Sequence, residues 1–282
     1  MWRVDHPKYT TENSFRACIS RIRDPELKKR LQEAEASVIA AATSYASAAE
    51  SVTLHSLEQS RFIPDGVTKE ELIAVYTSRM AKKKTAGRHI YDELILAAED
   101  GRCPLCGQRP VSTLDHHLPK MLYPALAVDP LNLVPACADC NKLKRDVAPH
   151  SSEEETIHPY FDNIEHDPWL RAHVIEVEPA ALRFSVNPSR NWNSTLSERV
   201  HRHFKKFGLA SLYASQAAQE LGNIRYYLTQ LYEADTSQGA QRVADHLREQ
   251  AESRRQAHIN SWQTAAYSAL ADSAWFCQGG FA

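Results

Sequence analysis

Cys103-Pro-Leu-Cys106, Thr113-Leu-Asp-His-His-Leu-Pro-Lys120 and Asn132-Leu-Val-Pro-Ala-Cys-Ala-Asp-Cys-Asn-Lys-Leu-Lys144 interrupt a chain that otherwise reads mainly as helix. Short apolar runs between prolines predict strands here rather than helix. The two cysteine pairs have two residues inside each and thirty between them. Such knuckles supply four thiolates for a tetrahedral zinc site, whose binding energy, on the order of 10 kcal/mol, holds a small loop-rich unit together. Four thiolates leave no open coordination position, so this zinc is a staple and not a catalytic metal.

The expected fold class is therefore mainly α with a small α+β insert. Asp24-Pro25, a cap followed by proline at the first helical position, predicts a helix running toward Gln59. Along it Leu27, Leu31, Ala34, Val38, Ala41, Tyr45, Ala49 and Val52 form one apolar stripe. Thr68 and Glu71 predict a capping box opening a second helix to Lys83, and a third is expected from Arg88 to Asp100. After the insert, the acidic run at 151–155 reads as a solvated surface or a linker. Val174–Val177 and Leu182–Val186 predict a hairpin around Glu178-Pro179. Three more helices are expected: one opened by Thr195 and Glu198 and stopped by Gly208, one over Ser211–Glu233, and one over Gln238–Ala274. The resulting organisation is an N-terminal helical region (1–101), the zinc-stapled core (102–150), a linker with the hairpin (151–194) and a C-terminal helical region (195–282).

Composition sets bounds on function. The 282 residues are 43% apolar and 24% charged, ordinary for a globular protein. No run of about 18 apolar residues occurs, and the N-terminus lacks the apolar stretch of a signal peptide, so a cytoplasmic protein without a membrane segment is expected. Cys18 and Cys277 stand alone near the ends, a pattern unlike a disulfide framework. The net charge of −2 gives no hint of the basic face that tight unaided nucleic-acid binding uses.

Inside the stapled loop the residue types fit phosphodiester hydrolysis. Asp115 and Asn141 offer hard oxygen donors, which favour Mg²⁺ or Mn²⁺ over zinc. His116, with a reference pKa of about 6.5, is substantially neutral at pH 7 and can take a proton from an attacking water. Lys120, Lys142, Lys144 and Arg145 are candidate phosphate contacts, each with a plain solvated surface as the competing explanation.

The set Cys-x-x-Cys, Asp115-His116-x-x-Pro119, Asn132-Leu-Val and Cys140-Asn141-x-x-Lys144 resembles the zinc-containing HNH endonucleases of the ββα-metal superfamily, over residues 103 to 146. The resemblance implies Asp115 and Asn141 as ligands of the catalytic metal, His116 as general base, and Asn132 as the brace of the loop presenting it. His117 is the second choice for the base, because in members with adjacent histidines the first binds metal. The longer pattern is similar to nuclease subunits of Septu-like and retron-linked anti-phage defence systems, which work on DNA beside an ATPase subunit. Two other readings stay open: a catalytically inactive zinc-stapled module that binds nucleic acid or protein, and a free-standing restriction or homing endonuclease. Residues 103–146 hold five Lys or Arg against four Asp, a net of about +1. Unaided DNA binding is therefore expected at the weak end of the non-specific range, roughly 10⁻⁴ M. The helical stripes beginning near Pro25 and Gln238 are the expected contact surfaces for an ATPase partner.

Overall fold

The computed structural model describes residues 2–235 and 237–282. It is mainly α with a small α+β insert, and it divides into two compact units, residues 2–163 and 164–282.

In the first unit, helices α1 (Thr11–Ile19), α2 (Pro25–Glu33), α3 (Glu35–Glu50), α4 (Lys69–Arg79) and α5 (Arg88–Leu96) precede the insert of β1 (Thr113–His116), β2 (Leu133–Ala136) and α6 (Ala138–Lys144). Local chemistry sets the helix starts. The Thr10 hydroxyl accepts from Asn13 N–H, and Asp24 accepts from Glu26 and Leu27 N–H with Pro25 behind it. Thr68 and Glu71 form the full capping box. The one long helix expected from Pro25 to Gln59 is instead α2 and α3, followed by two 3-10 turns at Leu54–Ser56 and Gln59–Phe62. Val52 ends α3 at φ 55°, while Thr53 N–H reaches back to Ala48 O at 2.8 Å and Val52 N–H to Ala49 O at 3.4 Å. This is the hydrogen-bond pattern that usually takes glycine. A β-branched residue in that place gives the sequence no stop signal. Helix α5 likewise ends at Leu96, short of Asp100.

The stripe on α2 and α3 is core and not a free contact surface. Leu31, Val38, Ala41, Tyr45 and Ala49 are buried together with Phe15, Leu72 and Met80, and the insert's Leu114, Leu118, Tyr123, Leu126 and Leu133 belong to the same cluster. The acidic run at 151–155 is not wholly solvated either. Glu155 is buried, accepting from His55 N–H at 3.0 Å and pairing with His55 Nδ1 at 2.7 Å.

In the second unit, β3 (Leu170–Ile175) and β4 (Ala181–Val186) form an antiparallel hairpin in the register Leu170 to Val186 and Ile175 to Ala181, starting four residues earlier than expected. It packs against α8 (Leu209–Glu233) and α10 (Trp262–Asp272), beside α7 (Ser194–Lys206) and α9 (Gly239–Ala257). Asn193, not Thr195, caps α7 by accepting from Leu196 N–H. The long helix expected over 238–274 breaks between α9 and α10. There the Asn260 side chain accepts from Trp169 and Leu170 N–H and donates to Asp167 O, while Ser261 caps α10. Val243, Leu247 and Ala251 of α9 are buried, so this stripe too is core. Among the described residues no helix is long and apolar enough to cross a membrane.

One buried acid in the first unit yields a stability prediction. Asp129 has no exposure; burial pushes its carboxyl up to about 7, with the Thr11 hydroxyl and Leu131 N–H pulling partly back. Its Oδ2 meets no donor among the described residues. An unfolded Asp titrates near about 3.9, so between that value and about 7 the folded chain holds a proton that the unfolded chain has released. Stability therefore falls as pH rises through this window and stays lower above it, by on the order of 4 kcal/mol at most. Asp129→Asn removes the penalty. Its melting temperature is expected several degrees above wild type at pH 8, with the advantage shrinking toward pH 5; an advantage equal at both pH values would refute the assignment.

Candidate functional site

The site is built on a ββα unit. Strands β1 and β2 pair antiparallel, Asp115 opposite Val134 and His116 opposite Leu133, and α6 follows β2 directly. Cys137 opens α6, its Sγ accepting from Cys140 N–H at 3.3 Å. The other knuckle turns the same way: Gly107 takes φ 62°, its N–H meets Cys103 O at 2.7 Å, and Arg109 N–H reaches Cys106 Sγ at 3.5 Å. All four cysteines are buried, with sulfur atoms within 4.8 Å of one another. A tetrahedron with bonds of about 2.3 Å needs sulfurs about 3.8 Å apart. The donor set therefore fits a structural zinc. Hydrogen bonding among the four crowded thiols pulls Cys106 and Cys137 down, Cys137 to about 7, and pushes Cys103 and Cys140 up, so the cluster shares its protons unevenly. Arg109 pairs with Asp139 at 2.8 Å and ties one knuckle to the other across the sulfurs.

Asn132 holds the loop between the strands. Its Oδ1 accepts from Leu118 N–H at 2.7 Å, and its Nδ2 donates to Leu118 O at 3.0 Å and Leu126 O at 3.3 Å. A fully buried amide with both ends engaged across fourteen residues fixes the backbone that carries His116.

His116 is buried, and its Nε2 lies 2.9 Å from Ala127 O. A carbonyl can only accept, so Nε2 carries the proton and Nδ1 keeps the lone pair. Burial, reinforced by the charge of Lys120, pushes the ring's pKa down to about 3, which leaves it neutral at physiological pH. Tyr76 of α4 meets the ring edge to face, with centroids 4.4 Å apart, and Lys120 Nζ stands 5.7 Å from the same tyrosine ring.

Asp115 is buried, which raises its carboxyl above the ordinary range, while Lys144 pulls it back. Lys144 Nζ lies 3.1 Å from Asp115 Oδ2 and also donates to His116 O. This lysine was expected among the phosphate contacts on the surface; it is instead buried at the carboxylate, apart from the exposed Lys142 and Arg145 and the half-buried Lys120. Asn141 is half-buried and lies on α6 three residues before Lys144. Arg145 ends α6 at φ 60°.

His117 goes elsewhere. Its ring stacks on His158 at 4.0 Å, and His158 Nε2 is 2.7 Å from the Tyr45 hydroxyl. The structure thus gathers Asp115, His116, Asn132, Lys120, Lys144 and Asn141 on β1, its loop and α6, and gives His117 a separate aromatic setting. Tyr76 had no signal in the sequence beyond membership of a helical core stripe, because its role depends on α4 docking forty residues away.

The chain is 31% identical to protein ea31 of Escherichia phage lambda over 174 residues, covering 60% of this chain and 58% of that protein. It thus matches less than two thirds of that relative's length. No family model matches, and no solved structure does.

The cysteine cluster makes a direct prediction. The purified chain is expected to contain one zinc per molecule by elemental analysis, and Cys103→Ser or Cys140→Ser to lose both the metal and the fold of the segment around it. Folded protein free of zinc would overturn this.

Proposed function

We propose that the chain is a metal-dependent HNH endonuclease that hydrolyses DNA phosphodiester bonds, the nuclease effector of an anti-phage defence complex working beside an ATPase subunit. The observation that carries this is the setting of His116: a neutral imidazole with its tautomer set by Ala127 O, on a loop braced by Asn132, next to a buried carboxylate that already holds a cation.

Asp115 and Asn141 would hold a Mg²⁺ or Mn²⁺ ion. Their hard oxygens suit it, and the Lys144 ammonium beside Asp115 marks a place where positive charge is stabilised. A divalent ion there would polarise the phosphate and stabilise charge on the leaving 3′-oxygen. His116 Nδ1 takes a proton from the attacking water as the water oxygen bonds to phosphorus, and Nε2–H stays on Ala127 O, so the imidazolium is held in orientation. The low proton affinity of the ring reflects burial and Lys120. An incoming phosphate opposes the lysine's charge and raises that affinity as the reaction needs it. Exposed Lys142 and Arg145 offer charge to flanking phosphates.

A second reading has one observation in its favour: Asp115 and Lys144 neutralise each other without any metal, as they would in an inactive zinc-stapled binding module. Plasmid cleavage separates the two. His116→Ala is expected to lower cleavage in Mg²⁺ or Mn²⁺ by roughly 10²–10⁴-fold with zinc content and circular dichroism unchanged, and Asp115→Ala or Asn141→Ala to act through lost metal affinity. Undiminished cutting by His116→Ala, with His117→Ala dead, would move the base by one residue. No cutting by the wild type, alone or with its partner, would favour the binding module.

A further inference from the structure

The chain's total charge conceals a strongly basic groove in the first unit. From Arg79, the last residue of α4, to Arg88, the first of α5, the chain reads Arg79-Met-Ala-Lys-Lys-Lys-Thr-Ala-Gly-Arg88, five cations with no acid, and α1 is followed by Arg21-Ile-Arg23. These segments enclose a groove of roughly 780 Å³ whose walls include Arg21, Arg23, Arg79, Lys84 and Thr85. One acid, Asp24, also lines it, with its carboxylate engaged by the N-terminus of α2. Among the described residues none of the four cations is ion-paired, and no aromatic side chain lines the groove.

The basic loop is built rather than loose. Gly87 N–H donates to Arg79 O at 3.0 Å, the Thr85 hydroxyl to Lys82 O at 2.7 Å, and the Arg88 guanidinium to Ala81 O. A Cβ on Gly87 would lie 2.4 Å from Cys18 Sγ, so glycine is what lets this loop close onto α1. Lys84 sits at φ 61°, a conformation that non-glycine residues keep only where the surroundings impose it. Helix α4 also connects the groove to the candidate base, since Arg79 lies one turn beyond Tyr76, whose ring meets His116.

We propose that this groove binds the sugar-phosphate backbone of DNA and supplies a grip on the substrate within this chain; the identity of the polymer rests on the nuclease reading above. Concave, cation-lined and without an aromatic anchor, the groove suits phosphate contacts from Arg, Lys and Thr better than the aromatic-rich centre of a protein interface. Four phosphate contacts would give log K against log salt a slope of about −3.6.

The test is fluorescence anisotropy of a labelled 30-base-pair duplex (about three helical turns) with the full chain carrying His116→Ala, without added divalent ions, across a KCl series. Arg21→Ala/Arg23→Ala/Arg79→Ala/Lys84→Ala is expected to weaken binding at least tenfold and to flatten the slope by about 3.6. Because Arg79 is half-buried, Arg21→Glu/Arg23→Glu/Lys84→Glu is measured beside it, and both are checked by thermal melting. Loss of exposed cations elsewhere, Arg171→Ala/Arg183→Ala/Arg242→Ala, is expected to change affinity less than twofold. Binding by folded groove variants within twofold of the parent, or an unchanged slope, overturns the proposal. So does loss of binding to a poly-glutamate peptide with DNA binding intact, which would assign the groove to an acidic protein. Absence of cleavage by the wild type, alone or with its partner, would sink the nuclease reading and leave this binding result standing.

Discussion

Two cysteine pairs thirty residues apart in sequence converge until their sulfurs lie within 4.8 Å, and the geometry of everything between them depends on that closure. Strands of four residues each cannot stand alone as a two-stranded ribbon in water. The cysteine cluster sits at both ends, Asn132 fixes the turn between them, and α6 closes over β1 through Lys144 and Asp115. His116 inherits its position from all three. The imidazole itself meets one carbonyl and one tyrosine ring, and the braced backbone beneath it sets the rest of its position.

What was legible in the sequence was what is decided locally. Asp24-Pro25 and Thr68 with Glu71 cap helices wherever such residues meet an amphipathic run, and both do so here. The cysteine spacing fixes its own geometry, and the ββα order follows from the short strands between the knuckles. What was hidden depends on partners distant in the chain. Val52 ends a helix in a conformation that glycine normally takes, so the stripe running past it looked continuous. Asn260 breaks another helix because its side chain is needed by the backbone at 167–170, ninety residues upstream. Glu155 looked like one of three surface acids until His55 buried it.

Lys144 shows the same limit within the site. From sequence it belongs with Lys142 and Arg145 as one basic cluster at the end of α6. Helical geometry turns it toward β1, where a buried carboxylate requires a counter-charge, while its neighbours remain exposed. A chain with a net charge of −2 can likewise hold four unpaired cations in one groove, because charge totals carry no information about position.

The shared core of the first unit ties the insert to the helices that precede it in the chain. Leu114, Leu118, Tyr123, Leu126 and Leu133 of the insert pack in one cluster with Phe15, Leu31, Tyr45 and Met80 of the preceding helices. The segment from Cys103 to Lys144 is therefore not a portable cassette. Grafted onto another scaffold, it would carry its four cysteines and its histidine but expose the apolar face that these helices cover.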